Sequence, residues 1–442
     1  MDPIQFPFSP FPLRFLLFLF LFKLIKSKAG SATRELPPGP WKLPLIGNML
    51  CLVGSLPHRG LSDLARKYGP VMHLQQGESS TIVISSPRLA FATRPELLAS
   101  KIILYYHPDT SYCPFGDYWR RISKVCTLEL KRKKKVRSFR SIREDENWKL
   151  VRSIHLLSGS TVDLSKMITS VINAITCRAT FGNRCKDQDV MLKKIKESTN
   201  AAGGFDVADL FPSLKCVHFV SGLSAKLLKI HQKTLLVQDM FSAGTETSST
   251  TVEWAMSELI RNPGVMQKAQ AELRGVLKGK KIIHEADIQE LRYLKLVIKE
   301  TLRLHPVVPL LLPRECRQQC EISGYNVPMK TKVIVNAWAI GKAPAYWHNA
   351  ETFEPERFEN SPIDFTGNSL EYIPFGAGRR ICPGILFGLA NVELPLAQLL
   401  YSFNWKLPDG VKPEDLDMSE TFGATSARKT NLLVVAISYS PL

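Results

Sequence analysis

Phe375-Gly376-Ala377-Gly378-Arg379-Arg380-Ile381-Cys382-Pro383-Gly384 is the stretch on which the fold turns. It has the form FxxGxRxCxG, five fixed positions in ten. A cysteine that binds a metal must be held as thiolate and shielded. Here Cys382 stands at the start of a predicted helix, with Pro383 at an early helical position, where a missing N–H does no harm. The helix N-terminus offers N–H groups and positive potential to the sulfur. The glycines let the loop backbone approach a flat ligand with no Cβ in the way. The competing reading is a glycine-rich turn with an incidental cysteine, and the five fixed positions weigh against it.

Five further motifs lie outward from this loop. Pro355-Glu356-Arg357-Phe358 precedes it, and Glu300-Thr301-Leu302-Arg303 precedes that. The Glu300/Arg303 spacing of i, i+3 puts both charges on one helix face. Taken alone, such a pair is usually a surface ion pair. Ala243-Gly244-Thr245-Glu246-Thr247-Ser248 falls in the middle of a helical pattern. A hydroxyl beside a small residue can bend a helix there, although a merely polar helix segment would look the same. Trp119-Arg120-Arg121-Ile122-Ser123-Lys124 and Leu312-Pro313-Arg314-Glu315 complete the set.

Together these motifs resemble the cytochrome P-450 family, and more closely its plant endoplasmic-reticulum type that oxidises terpenoids such as sesquiterpenes. The likeness covers nearly the whole chain. It implies a mainly α fold with small β-sheets, a single domain behind an N-terminal anchor, and haem b with Cys382 as axial ligand of the iron. Cofactor contacts carried over with it are Arg380, Phe375, Gly378, Gly384, Trp119, Arg120, Arg314, Ala243 and Gly244. Arg380 and Arg314 suit the haem propionates. Thr247 would hold dioxygen and Glu246 would help relay protons. Oxygen–oxygen cleavage needs two protons, so an acid beside a hydroxyl makes chemical sense. Glu300, Arg303 and Arg357 would be structural, holding the loop under the haem. Phe241, Val307, Leu311 and Ala424 would line the substrate pocket. The resemblance also implies a small apolar substrate, O2, and NADPH as electron source through an acidic flavoprotein reductase. The basic run 131–135 is a candidate docking surface for that reductase, or simply a solvated helix end. One departure is Ser123, where the family pattern WRxxRK has an arginine.

Composition sets the frame. The chain has 442 residues, 45% of them hydrophobic, and a formal charge of +18. That surplus suits anionic partners such as membrane headgroups or an acidic protein. No motif for nucleic-acid binding accompanies it, so no nucleic-acid partner is expected. The nine cysteines are scattered and include no CxxC pair, which indicates neither a zinc site nor a disulfide framework. Residues 15–22 are an unbroken apolar run, followed by Lys23, Lys26 and Lys28. Charge after the run favours a single-pass anchor with the rest of the chain on the cytosolic side, over a cleaved signal peptide, and the resemblance implies that the membrane is that of the endoplasmic reticulum. Pro37, Pro38 and Pro40 make a stiff hinge. The expected layout is an anchor over 1–28, a basic and proline-rich hinge over 29–48, and a haem-thiolate monooxygenase domain over 49–442.

Apolar spacing predicts helices over 61–68, 162–181, 239–260, 264–277, 291–304 and about 383–401. Strands are predicted over 71–75, 81–85, 321–322, 331–336 and 432–437. Against the family, the chain looks short near 88–90 and again near 233–236, and Ala343 replaces a usual aspartate. The second gap would remove helices of the substrate roof. Two alternatives to a working monooxygenase therefore stand beside it: a non-catalytic or misfolded truncated haem protein, and an oxygen-independent haem-thiolate isomerase or lyase. The Glu246–Thr247 pair argues against the last, which needs no proton relay.

Overall fold

The computed structural model describes residues 36–87, 113, 115–130, 133–182, 238–280, 282–408, 410–421 and 423–439. The expected anchor, the first part of the hinge and both shortened places lie outside the described residues. The described helices are α1 (Pro57–Tyr68), α2 (Asp117–Leu130), α3 (Lys133–Ser138), α4 (Arg140–Leu156), α5 (Leu164–Phe181), α6 (Gln238–Arg261), α7 (Pro263–Val276), α8 (Arg292–Leu304), α9 (Ala337–Gly341) and α10 (Ile385–Ser402). Strands β1 (Val71–Gln76), β2 (Ser79–Ile84), β4 (Arg314–Glu315) and β7 (Lys332–Val335) form one sheet in the order β1-β2-β7-β4. Strands β3 (Thr161–Asp163), β8 (Phe403–Lys406) and β9 (Leu433–Ser438) form a second, in the order β3-β9-β8. A hairpin of β5 (Cys320–Ile322) and β6 (Tyr325–Val327) stands apart. The architecture is the mainly helical one that the motifs imply.

Local chemistry sets the boundaries. Pro57 opens α1 at its first turn, so that helix starts earlier than its apolar spacing suggests. The helix expected from residue 162 begins instead as β3. Asp163 caps α5, its carboxylate accepting from the Lys166 N–H at 3.1 Å. The last helix likewise starts at Ile385 rather than Pro383, because Pro383 and Gly384 form a turn and Gly384 occupies the cap. In β2, Thr81 to Ile84 are all buried between β1 and β7. Helix α6 carries many hydroxyls, and several of them back-bond to its own carbonyls. Ser249 donates to the Thr245 carbonyl at 3.0 Å, Thr251 to Thr247 at 2.8 Å and Ser257 to Glu253 at 2.7 Å.

One large apolar core joins α4, α5, α6, α7, α8 and α10, from Leu150 to Ala436. Within it lies a charged knot. Arg303 of α8 makes two bonds to Glu300, at 2.7 and 2.8 Å, and both side chains are fully buried. Arg303 also donates to the carbonyls of Gly341 at 2.6 Å and Ala350 at 2.7 Å. Arg357 reaches the same carboxylate at 2.9 Å and donates to the His348 carbonyl at 2.7 Å. Glu300 further accepts the Glu354 N–H at 2.9 Å. A Cβ at Gly341 would stand 2.6 Å from the Arg303 carbonyl oxygen, so only glycine fits against α8 there. Farther on, the Tyr372 hydroxyl donates to the Lys299 carbonyl at 2.8 Å. Helix α8 thus holds the irregular stretch 341–372 that leads into the cysteine loop.

A second knot holds the C-terminal segment. Glu420 pairs with His58 at 2.9 Å and Arg59 at 3.1 Å, both on α1. Burial alone would raise the Glu420 carboxyl. The His58 hydrogen bond and the charges of His58, Arg59 and His305 outweigh it and bring the pKa from 4.5 to about 2. Cys177 is disulfide-bonded, although the scattered cysteines indicate no disulfide framework. Bridging depends on how two Cβ atoms meet in space, which scattered spacing does not reveal.

Two outcomes are expected. Glu300→Gln leaves the buried Arg303 without its counter-charge, while Arg357 keeps Glu354 at 3.1 Å, and should cost about 3–5 kcal/mol, read by chemical denaturation. Because Glu420 has a folded pKa below its ordinary one, its contribution is complete above pH 4.5 and fades as pH falls toward about 2. Denaturation of the native protein and Glu420→Gln should therefore differ at about pH 6 and converge progressively below about pH 4. An unchanged gap across that range would remove Glu420 as a source of acid sensitivity.

Candidate functional site

The cysteine loop is shaped by its backbone. Gly376 and Gly378 have φ of 72° and 67°, a region in which a Cβ is strained. Residues Gly378–Arg380 make one turn of 3-10 helix, and the Cys382 N–H donates to the Phe375 carbonyl at 3.0 Å. The loop therefore closes on itself and presents Cys382 half-buried just before α10. Any side chain at Gly384 would grow over the sulfur, since a Cβ there would lie 3.9 Å from Sγ. Phe375 packs edge-on against Phe365, with ring centroids 5.6 Å apart.

Two guanidinium groups reach this loop. Arg380 is buried, donates to the Cys113 carbonyl at 2.5 Å and lies 4.3 Å over the Trp119 ring. Arg314, from β4, donates to the Ala377 carbonyl at 3.4 Å. Burial lowers the Arg314 pKa to about 10, so the group stays charged near neutral pH and an anionic group beside it would offset the cost of burying that charge. Trp119 is thus brought to the loop. Arg120 is not: it is exposed, pairs with Asp117 at 3.4 Å and covers the Phe115 ring. Ser123 is half-buried, while Arg121 and Lys124 are exposed.

Helix α6 faces the start of α10. A Cβ at Gly244 would meet Phe387 at 3.7 Å and Thr176 at 3.6 Å, and one at Gly388 would meet the Ser248 hydroxyl at 3.8 Å. Small residues therefore set the close approach of the two helices, next to the acid–hydroxyl pair. Ala243 is exposed, Gly244, Glu246 and Thr247 are half-buried, and Thr245 is buried. The Thr247 hydroxyl donates to the Ala243 carbonyl at 2.5 Å, and Glu246 accepts from the Thr425 hydroxyl at 2.6 Å. Among the expected pocket residues, Val307 is buried, Leu311 is half-buried with φ of 50°, and Ala424 is half-buried. The side chain of Phe241 lies outside the described residues. Thr425 was not predicted. Its contact spans 179 residues, and no local spacing announces it.

This donor set fits haem b. One half-buried thiol, the half-buried apolar residues Ile385, Leu386, Phe387 and Leu389, and two buried guanidiniums match a flat apolar group with anionic edges.

Comparison with known proteins agrees. The cytochrome P-450 family model matches residues 37–220 and 221–434. Premnaspirodiene oxygenase of Hyoscyamus muticus is 48% identical, with 97% of each chain covered. Germacrene A hydroxylase of Barnadesia spinosa is 52% identical, covering 96% of this chain and 97% of that one. These matches extend over 489 and 479 residues, more than the 442 present here, so gaps open along them. In fold, a zebrafish cytochrome P-450 whose structure was determined with progesterone superimposes with a TM-score of 0.72 at 23% identity, over 87% of this chain and 100% of that one. The chain belongs to the cytochrome P-450 family of monooxygenases.

Proposed function

We propose that this chain is a haem-thiolate monooxygenase that inserts one oxygen atom of O2 into a small terpenoid, with a sesquiterpene as the best candidate. The observation that carries the reading is Cys382, half-buried on a self-closed loop beside Arg380 and Arg314, with α6 packed across the start of α10. The relatives' names supply the substrate class: premnaspirodiene and germacrene A are both terpenes.

Haem, when bound, supplies the oxygen-activating chemistry, and the protein supplies ligation, orientation and protons. In this reading Cys382 Sγ ligates the iron as thiolate. Arg380 and Arg314 hold the propionates, and Trp119 steadies Arg380. Thr247 would offer a hydroxyl that can leave the Ala243 carbonyl to hold or move a proton. Glu246 is the nearby carboxyl that holds and passes a proton. Val307, Leu311 and Ala424 bound an apolar space in which Phe241 is a further candidate.

Electrons would come from NADPH through an acidic flavoprotein reductase. The exposed Arg120, Arg121 and Lys124 of α2 and Lys133, Lys134 and Lys135 of α3 suit such a partner, and both helices pack on α10. Among the described residues only α10 is long and apolar enough to cross a membrane, and it is mostly buried behind the cysteine loop. The proposed anchor in the endoplasmic-reticulum membrane is therefore segment 1–28. Gaps near 88–90 and 233–236 would trim the pocket roof and leave the haem-binding half whole.

The test is a carbon monoxide difference spectrum of the reduced, membrane-expressed protein, followed by incubation with premnaspirodiene, germacrene A and a reductase. A red-shifted Soret band that disappears in Cys382→Ala, together with an oxygenated product, is the expected result. A haem band indifferent to Cys382, or no haem at all, would overturn the reading in favour of a non-catalytic protein.

A further inference from the structure

Glu246 is tied to a partner far away in sequence. Thr425, itself buried, donates its hydroxyl to Glu246 Oε1 at 2.6 Å. The segment around Thr425 is firmly fixed. The Ser426 N–H donates to the Val307 carbonyl at 2.8 Å, and the Trp254 indole donates to the Ser426 carbonyl at 2.9 Å. The Thr421 N–H closes the turn onto the Ala427 carbonyl at 2.8 Å. Trp254 belongs to α6, about two turns beyond Glu246. It stacks on His305 at 4.0 Å, and His305 meets Glu258 of the same helix at 2.7 Å. The helix that carries the acid thus also anchors the loop that carries Thr425.

We propose that Thr425 is a positioning residue for Glu246, its hydroxyl holding the carboxylate in one rotamer at the edge of the pocket. This rests on the monooxygenase reading above. A hydroxyl bonded to a carboxylate is a charge-assisted contact, and here its donor is placed by backbone bonds on both sides. Without that donor, the half-buried Glu246 carboxylate loses one of the contacts that set its rotamer beside Thr247. Ala424 is the adjacent residue, so one short segment presents both a candidate pocket wall and the hydroxyl that orders the acid. Disordered proton delivery diverts electrons from product, so the expected defect is poor coupling, with haem ligation intact.

The experiment compares the full-length protein with Thr425→Val, Thr425→Ser and Glu246→Gln. Product formed per NADPH consumed is measured with premnaspirodiene and with germacrene A. The carboxylate infrared band of 13C-glutamate-labelled protein is followed in parallel, and the Glu246 component is assigned by its loss in Glu246→Gln. Thr425→Val should keep the thiolate carbon monoxide band, lose about tenfold in product per NADPH, and shift the Glu246 band. Thr425→Ser should restore both. If valine and serine behave alike, or if valine leaves coupling and the infrared band unchanged, the positioning role is wrong. If the native protein itself makes no product, it is the monooxygenase reading that fails for these substrates, and the infrared band alone decides the role of Thr425.

Discussion

The contact on which the rest depends is the buried carboxylate of Glu300 between two guanidiniums. An unpaired charge at that depth would be strongly destabilising. Arg303 and Arg357 neutralise it and spend their remaining N–H groups on carbonyls at 341, 348 and 350. The first closes α9, and the other two lie in irregular chain with few ladder partners of its own, so there the knot replaces secondary structure as the source of order. The stretch then delivers Phe375 and Gly376 to a defined place, and the cysteine loop closes from there. A loop that must hold a metal ligand cannot be left to its own conformational entropy.

Helix α6 meets a different demand. A site for oxygen chemistry wants hydroxyls and an acid at mid-helix, where such residues usually weaken the structure. Back-bonding of Ser249, Thr251 and Ser257 keeps those groups satisfied, and α5 and α10 pack across small residues to support the helix. Thr247 follows the same pattern, donating to the Ala243 carbonyl a turn earlier, whereas Glu246 accepts from a distant loop.

The charge surplus also has a location. Exposed lysines and arginines of α2 and α3 stand beside α10, whereas the buried guanidiniums Arg380 and Arg314 turn to the cysteine loop. Neighbouring positions of one helix divide these roles, since Trp119 faces inward under Arg380 while Arg120 faces solvent.

By itself the sequence determined the class of fold and marked the loop proposed as the centre of the site. Periodic apolar residues mark α6, α8 and α10, because burying one helix face imposes a 3.6-residue spacing. FxxGxRxCxG marks Cys382, because closing a tight loop around a ligand requires glycines and a guanidinium at set positions. The tertiary structure decided the rest. Only packing shows that Arg120 turns away, that α10 waits until Ile385 to begin, that Cys177 is bridged, and that Thr425 holds Glu246. The reason is physical. Spacing along a chain records local geometry, whereas contacts between residues as far apart as 246 and 425 form only when separate elements meet around one core.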